Sequence, residues 1–144
     1  MRTFIISLSL SVTMAMVWAS ESCAQNEASR ADVFQWLRQA RGAALAGEKD
    51  KVRKLIEDSR TWAADHKDTL AAAWAEQLAG EVEFSAGDQT KATKAFQAAL
   101  VAFTELKNQA GMANSLLNLG RLALGGGKTS EAEEHLSKAL ELFR

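Results

Sequence analysis

The sequence predicts an all-α protein built as a stack of three similar helix-turn-helix pairs. Three observations predict it. Glycines stand at Gly47, Gly87 and Gly127, and the intervals 87−47 and 127−87 are both 40. Around each glycine the same order of small and bulky residues recurs. The chain has no proline, so only glycines and polar caps divide one helix from the next. A unit that cannot bury its own apolar face must lie against its neighbours, and such a stack presents an extended surface instead of a catalytic pocket.

In register at this interval, Trp36, Glu76 and Leu116 align, and four residues later so do Ala40, Gly80 and Gly120. Next come Ala43, Glu83 and Ala123, then Ala44, Phe84 and Leu124. After the glycine the columns are Val52, Ala92, Ala132; Ile56, Phe96, Leu136; and Ser59, Ala99, Ala139. Small residues recur where two helices must approach closely, with large apolar ones beside them. The units fall at about 33–64, 70–107 and 110–143 within a domain of residues 32–144.

Within each unit, helical spacing predicts a first helix from Phe34, Leu37, Ala40 and Ala44, or from Leu116, Leu119, Leu122 and Ala123. A second helix follows from Val52, Leu55 and Ile56, or from Ala92, Phe96, Ala99, Leu100 and Phe103. The shared glycine suits a helix C-terminus, where a left-handed residue is needed. Three residues beyond it, Asp50, Thr90 and Ser130 are the expected N-caps of the second helices. Ser130 with Glu133 has the spacing of a capping box. Asp68 and Asn108 are the expected caps of the first helices in units two and three.

These columns resemble the tetratricopeptide repeat, whose pattern is W-x2-L-G-x2-Y, then A-x3-F and a further small residue. The third unit fits best, with Leu116, Leu119, Gly120, Ala123, Ala132, Leu136 and Ala139. The second keeps Gly80, Ala92, Phe96 and Ala99; the first keeps Trp36 and Gly47. The family's usual unit is about 34 residues, so a 40-residue interval adds about one and a half helical turns. The stretch Glu105–Gly111 running into Leu117–Gly120 is similar to the longer variety found in kinesin light chains. The resemblance implies a right-handed superhelix of helix pairs that binds proteins or peptides on its concave side.

It also implies which residues would do so. The first helix of each unit lines the groove in that family, and the corresponding positions here are Phe34, Leu37 and Arg41; Trp74, Gln77 and Glu81; and Asn114, Leu117 and Arg121. Trp74 is the candidate anchor, because an aromatic side chain supplies much contact area. Packing under the neighbouring first helix is the competing role for it. Arg41 and Arg121 flank Glu81 and could read carboxylates or pair with it. Leu136, Leu140 and Phe143, on the last helix, are candidates for self-association or partner docking.

The amino terminus reads as an address. Met1-Arg2-Thr3 precedes an apolar run from Phe4 to Ala19, short for a bilayer span, and small residues follow. That describes a secretory signal peptide of residues 1–24, cut after Ala24 or alternatively after Ala19, with residues 25–31 a polar lead. The expected location is periplasmic or secreted, with an uncleaved anchor as the alternative. Cys23, the only cysteine, leaves with the peptide cut at Ala24, and the Ser20-Glu21-Ser22 before it does not suit lipidation.

Composition narrows the function further. A net charge of −1 gives no electrostatic footprint for nucleic acid. From Arg30 to Arg60 there are eight Lys or Arg against five Asp or Glu, and from Thr61 to Ala110 four against seven. The first unit is thus mildly basic and the second mildly acidic. His66 and His135 fall in different units, and neither has a second ligand at metal-binding spacing. The Gly125–Ser130 segment lacks the first glycine and spacer of a phosphate loop. No cofactor, metal site or catalytic residue is expected. The expected function is a non-catalytic protein-interaction module, and the alternative is a small-ligand carrier.

Overall fold

The computed structural model describes residues 28–144; the expected signal peptide, Cys23 and residues 25–27 of the polar lead lie outside the described residues. Six helices follow one another: α1 (Arg30–Leu45), α2 (Lys49–Asp65), α3 (Thr69–Ser85), α4 (Gln89–Glu105), α5 (Gln109–Gly125) and α6 (Thr129–Leu142). They pack as the pairs α1–α2, α3–α4 and α5–α6, with α2 against α3, α4 against α5, and α1, α3 and α5 side by side. Among the described residues the first pair does not touch the third. The helices therefore stack in translational register and do not surround one common core.

All five turns are built alike. A residue with positive φ stands at Gly47, Lys67, Gly87, Lys107 and Gly127, so the left-handed conformation recurs every 20 residues although glycine recurs every 40. At each turn the next residue's N–H reaches back to a carbonyl five residues earlier: Glu48 to Ala43, Asp68 to Ala63, Asp88 to Glu83, Asn108 to Phe103 and Lys128 to Ala123, at 2.8–3.0 Å. The left-handed residue itself donates to the carbonyl three residues before, which completes a Schellman motif. Lysine at this conformation carries a penalty that glycine lacks. We expect Lys107→Gly to raise stability by about 1 kcal/mol, read as a higher melting temperature; an unchanged or lower value would contradict this.

The same geometry corrects the expected caps. The residue after the left-handed position is already the N-cap, so the second helices are capped at Glu48, Asp88 and Lys128, not at Asp50, Thr90 and Ser130. Those three residues lie inside the first helical turn. Glu48 and Lys128 make no side-chain capping bond, while the Asp88 carboxylate accepts from Lys91 N–H at 3.0 Å. The capping box is formed by Ser29 and Asp32 at the start of α1 and not by Ser130 and Glu133. Asp68 and Asn108 cap α3 and α5 as expected.

The columns explain how the pairs close. An added Cβ at Gly80 would lie 2.6 Å from the Phe96 ring, and one at Gly120 would lie 2.7 Å from Leu136 Cγ. Only glycine lets the bulky residue of the second helix press onto the first helix's backbone. Ala40 stands in that column in the first pair, beside the smaller Ile56, and both are buried.

Asp68 fastens the first junction. Its carboxylate accepts from Ala71 N–H at 3.1 Å and from the Arg30 guanidinium at the start of α1. Close by in the chain, Trp62 donates its indole N–H to the Ala28 carbonyl and stacks on His66 with ring centroids 4.1 Å apart. Burial raises the Asp68 carboxyl, but the Ala71 N–H and the Arg30 guanidinium outweigh it and hold the pKa below the usual carboxylate value. A depressed folded pKa contributes stability that is complete above about pH 4, near the unfolded value, and lost as pH falls through the folded value. Asp68→Asn should therefore flatten the decline of melting temperature below about pH 4. Identical acid slopes for both proteins would refute the assignment.

Candidate functional site

Side by side, α1, α3 and α5 form one face, and the structure sorts the groove residues expected from the resemblance into three groups. Phe34, Trp74 and Asn114 are half-buried along that face. Leu37 and Gln77 are buried and offer nothing to a partner. Leu117, which shares their column, is 39% exposed. The reason is the register between units. Leu37 packs in one cluster with Ala71, Ala75 and Ala79 of α3. Gln77 accepts through Oε1 from the Ser115 hydroxyl of α5 at 2.8 Å. In each case the residue 38 positions onward covers the side chain.

Charges on this face are already engaged. Arg41 donates through one guanidinium nitrogen, Nη2, to both carboxylate oxygens of Glu81, at 3.0 and 2.9 Å, joining α1 to α3. Arg121 does not reach Glu81 in this way; its guanidinium lies 5.1 Å from the centroid of the Phe84 ring and bonds Asn118 Oδ1 at 3.3 Å. Trp74 meets Phe103 of its own pair edge to face, with centroids 4.9 Å apart, beside Leu70 and Met112. It is half a packing residue and half a surface one. On α6, Leu136 is half-buried beneath Gly120, whereas Leu140 and the C-cap residue Phe143 are each 57% exposed.

The histidines sit apart from this face's chemistry. His66 is exposed, with Nδ1 2.8 Å from the Trp62 carbonyl. His135 is half-buried, with Nε2 3.9 Å from Glu131. No group of three or more His, Cys, Asp or Glu side chains is placed to hold a metal among the described residues.

One feature was missed by sequence reasoning. A crevice of about 1200 Å³ lies between the first two pairs, lined from all four of their helices. Its apolar wall includes Val52, Ile56, Leu78, Ala79, Val82 and Ala95. Two bridges between the pairs stand in its lining, Arg41–Glu81 and Arg60–Glu76, the latter at 2.8 Å. The equivalent position between the second and third pairs, lined by Gln89, Thr93, Leu119, Leu122 and others, holds only about 110 Å³. The signal was present in the columns. Phe84, Leu119 and Leu122 pack together at the second junction, where the first has Ala44, Ala79 and Val82.

A stack of antiparallel helix pairs, each touching only its neighbours, defines the class: a helical-repeat protein. Its family is equally plain. A family model described as Tetratricopeptide repeat matches residues 50–144, and the chain belongs to that family. The match begins inside α2, in agreement with the first unit having the most degenerate columns. No curated protein and no solved structure matches the chain.

Proposed function

We propose that the chain is an exported, non-catalytic scaffold that holds a segment of another protein against the face of α1, α3 and α5. Membership of a family of protein-interaction repeats supports this reading. The observation that carries it is the row of half-buried Phe34, Trp74 and Asn114, spaced by 40 residues on adjoining helices, with exposed Leu117 beside it. Half-buried aromatic side chains on a rigid element lose little entropy when a partner covers them. The terminal Met1–Ala24 stretch supports export, with Gln25 as the mature amino terminus.

The test is affinity capture from an envelope fraction, followed by titration of the recovered partner. Trp74→Ala should weaken binding about 30-fold, the effect of a typical aromatic anchor. Equal affinity for wild type and Trp74→Ala would move the partner off this face. Amino-terminal sequencing of the exported protein should begin at Gln25; a chain still beginning at Met1 would refute cleavage.

A further inference from the structure

We propose that the crevice between the first two pairs is a second docking site, specific for a short acidic segment of a partner protein carrying bulky apolar side chains. The proposal rests on the reading of this chain as a protein-interaction scaffold, but it places the contact away from the row of Phe34, Trp74 and Asn114.

The repeat supplies its own control. Columns at the second junction are filled by Phe84, Leu119 and Leu122, all in one apolar cluster. The first junction has Ala44, Ala79 and Val82 in those columns, and the space grows from about 110 to about 1200 Å³. Protein interiors are close-packed, so these three reductions in size at one junction, larger than the gain of Val52 over Ala92, leave room that no side chain of these two pairs takes. Val52, Ile56, Leu78 and Ala79, each under 9% exposed, form only its floor, and the apolar surface open to a partner comes from half-buried Val82 and exposed Ala44, Ala86 and Ala98. At the mouth, Leu45 is 90% exposed.

Charge changes at the same columns. Lys49, Arg53, Lys91 and Lys94 line the first crevice, where the second junction has Gln89, Thr93, Glu131 and Glu134. Arg41 and Arg60 are neutralised by Glu81 and Glu76. Arg53 and Lys91 pair with Asp50 and the N-cap Asp88 in exposed i,i+3 bridges that contribute little, and Glu83 acts on Lys91 from farther off. In all, six Lys or Arg side chains line the crevice against four carboxylates, Glu57, Glu76, Glu81 and Glu83. The excess is positive, and a positive rim over an apolar wall selects an acidic segment with apolar anchors. Along α2, from Lys49 to Arg60, the crevice runs about 17 Å at 1.5 Å per residue, three turns of a helix.

A random twelve-residue peptide library displayed on phage, panned against the whole exported protein, tests this. Recovered peptides are then synthesised and titrated by fluorescence polarisation. The expected sequences carry net negative charge and at least two large apolar residues. Their affinity should fall at least about tenfold in Ala44→Phe/Ala79→Leu, which gives the first junction the second junction's bulk. It should fall similarly in Lys91→Glu/Lys94→Glu, which leaves the packing alone and keeps the test decisive if the filled variant folds poorly. Neutral or basic peptides, or acidic ones indifferent to both variants, overturn the proposal. Peptides lost only on Trp74→Ala overturn it while leaving the interaction reading intact. Recovery of no peptide refutes it. Saturable binding of dodecanoate that the filled variant abolishes, with no peptide bound, makes the crevice a lipid site instead. A concentration-dependent mass by light scattering that the filled variant abolishes assigns it to a second copy, which is equally fatal.

Discussion

Phe96→Ala is expected to cost about 3–5 kcal/mol, the range for truncating a buried aromatic side chain. Phe96 is 1% exposed and sits with Ala92, Leu119 and Leu122 in one cluster, so it fastens α4 to both α3 and α5. Its ring also lies where a Cβ on Gly80 would go. The alanine variant loses the ring's transfer energy and leaves a hole that the flat glycine backbone cannot fill. Since small domains are stable by only about 5–15 kcal/mol, urea unfolding should move to a much lower midpoint. Stability in a stack is nearly a sum over units and junctions, so amide exchange should accelerate most in α5 and α6, beyond the broken junction. Val101→Ala, at a 59% exposed position on the same helix, should change the unfolding free energy by less than about 0.5 kcal/mol. A Phe96→Ala loss as small as that control's would show that the ring is not what joins these units.

Much of this architecture was legible in the sequence, and the gaps have physical causes. The glycines at 40-residue intervals marked the turns inside each pair, because a left-handed backbone is strained for any side chain with a Cβ. Turns between pairs use the same conformation at Lys67 and Lys107, and lysine carries no such mark. The caps of the second helices were misplaced for a related reason. In a turn this tight the residue after the left-handed position closes one helix and opens the next, so geometry fixes the cap whatever its side chain, as Glu48 and Lys128 show. From the sequence Leu37 and Gln77 look open, because column position says which side of a helix a residue occupies. It does not say that Ala75 or Ser115, 38 residues onward, will lie on top. The crevice is not legible from the likeness that defines each column, because the space arises from differences within columns: Ala44 against Phe84, Ala79 against Leu119.

The same within-column comparison leads to Gly111→Ala, an apparently mild change expected to destabilise by about 2–3 kcal/mol. A Cβ there would lie 2.4 Å from Phe103 Cγ and Cδ1, atoms at the base of the ring that rotation of the side chain cannot move far. Phe103 is fully buried and edge-packed on Trp74, so it has nowhere to retreat. Overpacking of this kind costs about 1–3 kcal/mol. The Gly111 N–H also bonds the Asn108 carboxamide at 2.9 Å, and displacing it would weaken a cap worth about 1 kcal/mol. Alanine's better helix propensity, below about 1 kcal/mol, offsets only part of this. The first junction shows how the two positions are matched, for the residues 40 earlier are Ala63 and Ala71, a small pair in place of a large one and a glycine. Phe103→Leu should therefore be less damaging in the Gly111→Ala background than alone, with a coupling energy between about 0.5 and 3 kcal/mol. A double-mutant cycle by urea denaturation measures that coupling directly. Strict additivity would mean that the ring and the glycine are not in contact, and that the fit between α4 and α5 has another origin.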